Sequence, residues 1–244
     1  MSQTAKIALI TGANKGIGFE IARQLGEQGL TVLVGSRDLA RGEEAVSKIR
    51  AAGSAAYSLQ IDVIEQATID AAVKHVEQTY GRLDVLVNNA GITRGFNLLP
   101  SQFTIEQLRE VYETNVFGVF AVTKAMLPLL YRSQAGRIVN LSSPMGSLTL
   151  NSDPSSIYAT LPPSLAYNSS KTALNALTVF FARELRDTNI KINSVSPGYC
   201  ATDLNGHTGY RTAQQGAQLP VAFATLPADG PTGGFFEDNK AVPW

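Results

Sequence analysis

Four consecutive apolar residues, Ile7-Ala8-Leu9-Ile10, run without a polar break into Thr11-Gly12-Ala13-Asn14-Lys15-Gly16-Ile17-Gly18. A strand with no polar alternation is buried on both faces, the habit of a parallel sheet covered by helices on each side. Ile17, Ile21 and Leu25 then recur at helical spacing, and Gly29 stops the run. Strand, glycine-rich turn and helix in immediate succession make a phosphate site. The glycines permit unusual backbone angles and let main chain approach a ligand closely. The helix start offers unpaired N–H groups and the positive end of its dipole. The spacing is Gly-x-x-x-Gly-x-Gly, not the commoner Gly-x-Gly-x-x-Gly. It is therefore the context, more than the glycines alone, that assigns Gly12, Asn14, Lys15, Gly16, Ile17 and Gly18 to a pyrophosphate cradle.

The next strand, Thr31-Val32-Leu33-Val34, ends in Gly35-Ser36-Arg37-Asp38. An acidic residue at this strand end takes the adenosine ribose hydroxyls of NAD. Ser36 stands there instead, followed by Arg37, whose fork of donors suits a phosphate. Lys15 is within reach of the same group, so the pair favours NADP over NAD. The plainer reading is two solvated surface charges, and Asp38 carries the wrong sign for a phosphate neighbour. Residues 41–52 read as a helix and 57–61 as a third strand, ending at Asp62-Val63. Asp62 either accepts from an adenine amino group or caps the helix that starts near Glu65. Leu83 to Val87 is a fourth strand, followed by Asn88-Asn89-Ala90-Gly91. Paired amides there can tie strand ends together, and Ala90-Gly91 is small enough for a cofactor ring to pass.

Length and charge bound the alternatives. A chain of 244 residues with 44% hydrophobic content fits one large α/β domain or two small ones. Twenty basic residues balance 20 acidic ones, which leaves no basic excess for nucleic acid. The lone Cys200 excludes an intrachain disulfide and fits a reducing compartment, and no Cys/His/Asp cluster surrounds His75 to hold a metal. The start of the chain reads as no signal peptide, and residues 116–130, broken by Lys124 and Pro128, are too short to span a membrane. The expectation is a soluble cytoplasmic protein with a small-molecule substrate.

A second constellation lies in the other half. Tyr167-Asn168-Ser169-Ser170-Lys171 sets a phenol one helical turn from an ammonium. A nearby positive charge should lower the phenol pKa and make a proton donor and acceptor usable near neutrality. Ser142 and Ser143 end the apolar strand at residues 137–141, so a hydroxyl can join the same site.

Taken together, Thr11-Gly12-x-x-x-Gly16-x-Gly18, Asn88-Asn89-Ala90-Gly91, Asn115, Ser143, Tyr167-x-x-x-Lys171 and Pro197-Gly198 resemble the short-chain dehydrogenase/reductase family, in the family's order and from about residue 5 to the end. The resemblance implies a single Rossmann-type domain over residues 1–244, a doubly wound α/β fold with a parallel sheet of about seven strands and helices on both faces. It implies that Asn115 holds a water in a proton relay leading from Lys171; the bland alternative is a buried amide satisfied by backbone. By the family pattern Ser143 is the catalytic hydroxyl, with Ser142 as fallback. Lys171 holds the nicotinamide ribose. Thr202 touches the nicotinamide amide or pyrophosphate, and residues 195–198, with Pro197 and Gly198, wall the ring. Cys200 is passive.

The chain departs from the common pattern between Ser143 and Tyr167. Residues 148–163 are rich in Ser, Asn, Asp and Pro and read as an inserted loop. Such insertions resemble the carbonyl-reductase-like branch, including plant ketone reductases, where the segment can cover a helix face that other members use to oligomerise; a monomer is plausible on that ground. Residues 203–217 read as a substrate-flanking lid, 219–226 as a short helix, 233–236 as the last strand and 237–244 as a tail. Arg94, Phe96, Met145 and Tyr199 are the candidate substrate contacts. The resulting expectation is an NADPH-dependent carbonyl reductase acting on a ketone, aldehyde or quinone. An NAD-linked alcohol dehydrogenase and a catalytically silent dinucleotide sensor are the alternatives.

Overall fold

The computed structural model describes residues 5–162 and 164–244; the first four residues and Pro163, which ends the predicted insertion, lie outside the described residues. Strands and helices alternate through β1 (Ile7–Ile10), α1 (Gly16–Glu27), β2 (Thr31–Ser36), α2 (Leu39–Ala51), β3 (Ala56–Gln60), α3 (Gln66–Tyr80) and β4 (Val85–Asn88). Then come α4 (Ile105–Tyr112) and α5 (Val119–Leu130), joined by a π-helical stretch at Glu113–Gly118, and β5 (Arg137–Leu141). The last part holds α6 (Leu148–Ser152), α7 (Ile157–Thr160), α8 (Leu165–Glu184), β6 (Lys191–Val195), α9 (Ala213–Ala224), β7 (Phe235–Glu237) and β8 (Lys240–Ala241).

Among the described residues, eight strands form one sheet in the order β3-β2-β1-β4-β5-β6-β7-β8. The first seven are parallel and β8 is antiparallel to β7. The period of two sorts the core. Ala8 and Ile10 face α1, α2 and α9, while Ile7 and Leu9 face α3, α5 and α8. That double coverage is why β1 shows no polar alternation. Chain order reverses between β1 and β4, and the crevice at their carboxyl ends is where doubly wound sheets bind ligands.

Three readings change here. The insertion is not an open loop: Ser147 and Ser156 cap two short helices, α6 and α7, by accepting from Leu150 N and Tyr158 N. These leave Phe117, Phe120 and Phe180 exposed, so the insertion does not cover the helix faces that carry them. The helix expected at 219–226 starts at Ala213, where Thr212 and Gln215 form a capping box. The tail turns back as β8, with Trp244 stacked on Phe235 at 5.8 Å.

Candidate active site

The glycine turn folds tightly against the end of β4. Gly12 and Gly16 take φ values of 63° and 59°, and a Cβ on Gly18 would sit 2.4 Å from Asn89 Nδ2. Asn89 Nδ2 donates to the carbonyls of Thr11 and Gly12 at 2.9 and 3.1 Å. Thr11 Oγ1 accepts from the N–H groups of Asn89 and Ala90. Asn88 Nδ2 donates to Asn140 Oδ1 at 2.8 Å, tying β4 to β5. The amide ties expected of the paired asparagines are therefore present. At the start of α1, the N-cap Lys15 gives no side-chain cap and the first turn holds no acid. An anion is the natural complement of such an end.

The far wall carries Ser36, Arg37 and Asp38. Ser36 Oγ donates to Asp38 O at 2.8 Å. The Asp38 carboxylate caps α2 by accepting from Arg41 N, and it pairs with Arg41 Nε at 3.4 Å. The charge that complicated the sequence reading is thus turned onto the helix cap. Arg41 lines the same wall and was missed in the sequence; its signal was a second arginine one turn beyond Asp38. Lys15 does not reach toward Arg37. Its ammonium pairs with Asp203, whose other oxygen is 2.9 Å from His207 Nε2. Asp62 does not cap α3, because the N-cap is Glu65. It closes the preceding turn, accepting from Ile64 N at 3.3 Å, and with Val63 lines the cleft.

Ser143, Tyr167, Lys171 and Asn115 converge at the other end. Adjacent serines, inseparable by sequence, are separated by their partners. Ser142 Oγ donates to Asn175 Oδ1 at 2.6 Å and is buried. Ser143 Oγ accepts from Met145 N and lies close enough to the Tyr167 phenol to lower its pKa. Lys171 Nζ is buried, donates to Leu141 O at 2.7 Å and lies 5.5 Å from the Tyr167 ring centroid.

The expected lowering of the Tyr167 pKa is overturned. Burial pushes the phenol up to about 12, against a smaller lowering by the Ser143 hydrogen bond. Burial also holds Lys171 down to about 8. Desolvation disfavours both charged forms, and the ammonium is aimed at a strand carbonyl, not at the phenol oxygen.

Asn115 sits in the π-helical stretch and is fully buried. Its Oδ1 accepts from Ile92 N, and its Nδ2 donates to Ile92 O and Ser170 Oγ, all at 2.9 to 3.0 Å. The side chain therefore has the backbone partners of the plainer reading. The wider helical turn is what admits a poor helix former here. Ser170 passes the contact on by donating to Tyr167 O at 2.7 Å; its part was hidden inside the Tyr-x-x-x-Lys spacing.

One cleft of about 780 Å³ joins the two ends, within the usual range of roughly 300–1,000 Å³ for ligand sites. Gly12, Asn14, Lys15, Gly16, Ile17, Gly18, Asn89, Ala90, Gly91, Tyr167, Lys171, Pro197 and Thr202 all line it. Asn115, Ser143 and Gly198 stand outside that lining. Of the candidate substrate contacts only Arg94 borders the cleft, and its guanidinium is paired with Glu110 at 2.5 Å. Phe96 and Tyr199 are exposed elsewhere. Cys200 is buried, donates to Pro197 O and has a raised pKa from burial. Among the described residues no helix is long and apolar enough to cross a membrane.

A doubly wound sheet with a glycine turn at its switch point, and Tyr167 beside a buried Lys171 in the same cleft, is the arrangement of a Rossmann-class oxidoreductase. The chain belongs to the short-chain dehydrogenase family, whose pattern it matches over residues 6–212. It is similar to short-chain dehydrogenase anuI of Penicillium roqueforti (strain FM164), 38% identical and covering 91% of this chain and 89% of that protein. It is also similar to carbonyl reductase 1 of Rattus norvegicus, named for NADPH, 34% identical over the full length of both. Among solved structures, salutaridine reductase from Papaver somniferum superposes with a TM-score of 0.82 at 30% identity, covering 96% of this chain and 99% of that one.

Proposed function

We propose that the protein is an NADPH-dependent carbonyl reductase, with Ser143, Tyr167 and Lys171 as its catalytic groups and Asn115 as their support. The observation that carries this reading is the Tyr167 and Lys171 pair at one end of a cleft whose other end holds Arg37 and Arg41. The residues present fit a dinucleotide. A Cβ on Gly16 would find nothing closer than Thr202 Cγ2 at 3.9 Å, so main chain is open to the cleft there. The uncapped start of α1 suits the pyrophosphate, and the two arginines suit a 2′-phosphate. When bound, the nicotinamide supplies the hydride.

The chain's own work is binding, orientation and proton supply. Tyr167 donates its proton to the substrate oxygen. Ser143 donates a hydrogen bond to that oxygen and orients it. Lys171, turned from Leu141 O, holds the nicotinamide ribose, and Asn115 fixes the Ile92 backbone and Ser170 around them. Thr202 and the Pro197–Gly198 turn bound the nicotinamide end. The relatives' names support a reductase of small-molecule carbonyls. The setting we propose is the cytoplasm.

The test is nicotinamide absorbance with NADPH, then NADH, against aryl ketones and quinones. Turnover with strong NADPH preference is expected; preference for NADH would refute the phosphate role of the arginines. Arg37→Asp should raise the KM for NADPH about 10- to 100-fold and that for NADH less than about threefold. Equal losses would remove Arg37 from the phosphate site.

A further inference from the structure

We infer that the C-terminal hairpin, through Glu237 and Asp238, positions the Pro197–Gly198 wall and the segment that closes over it. The inference rests on the proposed reductase reading. β7 runs parallel to the other strands, so its end lies at the same edge of the sheet as the cleft. Asp238 and Asn239 take φ values of 50° and 60°, the left-handed pair of a two-residue hairpin turn. The end of β7 and this turn place two adjacent carboxylates, Glu237 and Asp238, at that edge.

Each carboxylate grips a different part of the cleft rim. Glu237 Oε1 accepts from Ser196 Oγ at 2.7 Å, and Ser196 Oγ in turn accepts from Gly198 N at 3.1 Å. Glu237 also acts on the Tyr158 phenol of the insertion, whose pKa rises to about 12 through burial first and this carboxylate second. Asp238 Oδ2 accepts from Arg211 Nη2 at 2.6 Å. The Arg211 guanidinium fills the space beside Gly198, where an added Cβ would lie 2.6 Å from Nη1. Gly198, at φ 75°, admits this approach.

The Arg211 main chain also zips the base of the closing segment. Ala201 N donates to Arg211 O at 2.8 Å, and Arg211 N donates to Tyr199 O at 3.1 Å. The residues looped out between them include Asp203, Leu204 and His207, which line the cleft. The hairpin's far end reaches the insertion again, where Thr149 N donates to Trp244 O at 2.9 Å. The C-terminal hairpin and the residues after it therefore join wall, closing segment and insertion.

Glu237 and Asp238 are positioning residues, since none of these contacts is with a reacting atom. The Arg211 and Asp238 side chains are 25% and 56% exposed, and ion pairs of that exposure add little to stability. A small displacement of a reacting pair, by contrast, lowers rate steeply. Loss of the clamp should consequently move kcat more than melting temperature.

The experiment compares Asp238→Ala, Asp238→Asn and wild type, full-length, with NADPH and the ketone that wild type reduces fastest. Asp238→Ala is expected to lower kcat about 10-fold, with NADPH affinity within about twofold and Tm within about 2 °C. Asp238→Asn keeps an acceptor for Arg211 and should recover most of the lost kcat. The inference is overturned if Asp238→Ala keeps wild-type kcat, or if both variants lose kcat, affinity and Tm together as a structural defect would. Should wild type bind NADPH yet reduce no carbonyl, the reductase reading fails and the hairpin is judged on the fluorescence of bound NADPH. A changed nicotinamide emission in Asp238→Ala at unchanged affinity supports the clamp; an unchanged emission overturns it.

Discussion

Replacing Tyr167 by phenylalanine is expected to lower kcat on any carbonyl by about 10³-fold while NADPH affinity stays within about twofold. The change removes one oxygen from a ring that otherwise keeps its place on α8. The lost oxygen is the proposed proton source, and with its pKa pushed up to about 12 it stays protonated across the neutral range. Reduction needs that protonated form, so the raised value suits the reductive direction. Ser143 Oγ retains its bond from Met145 N, so the fold should melt within about 2 °C of wild type. The adjacent serines sharpen the test. Ser143→Ala should cost about 10- to 100-fold in kcat. Ser142→Ala should leave kcat nearly unchanged yet cost about 1–2 kcal/mol of stability, because Asn175 Oδ1 loses its donor. Tyr167→Phe with near-normal turnover, or Ser142→Ala with the greater catalytic loss, would sink the assignment.

The parts legible in the sequence are those where local pattern and tertiary role coincide. An unbroken apolar strand, a glycine turn and a 3.6-residue period specify β1 and α1 without help from distant residues. Asn88 and Asn89 were legible because amides that follow a buried strand must find partners. The choice between Ser142 and Ser143 was not legible, because it depends on Asn175, which lies two turns along α8 from Asn168 and meets Ser142 only in the folded chain. The environment of Tyr167 was misread for a related reason. Spacing places the ammonium one turn away, but burial and the Leu141 carbonyl decide where it points and which way both pKa values move. The residues read as a tail were hidden by their dependence on Ser196 and on Arg211, both far away in sequence. Ser147, just before the insertion, and Ser156 within it were visible, but their capping role appears only once the chain turns helical after each.

Lys171→Met is expected to abolish turnover and, in the free protein at neutral pH, to raise stability. The folded pKa of Lys171 is held down to about 8 by burial, below its ordinary 10.5. Between those values the unfolded chain binds more protons than the folded one, so wild-type stability rises with pH across that window. Below about pH 8 the ammonium is charged in both states, and the cost of burying it is present in full. That cost is roughly 3 kcal/mol. Methionine removes the charge at similar length but forfeits the hydrogen bond to Leu141 O, which returns part of the gain. The net expectation at pH 7 is a stabilisation of about 1–3 kcal/mol, or a few degrees in Tm for a domain of this size. The gap between variant and wild type should narrow as pH rises from 8 toward 10.5. Saturating NADPH should reverse the order, because on the proposed reading only wild type gains a ribose contact from this ammonium. Thermal melts at several pH values, with and without NADPH, measure all three effects. A Lys171→Met protein less stable than wild type at pH 7, or a gap unchanged by pH, would show that the lysine is held for the fold and not at its expense.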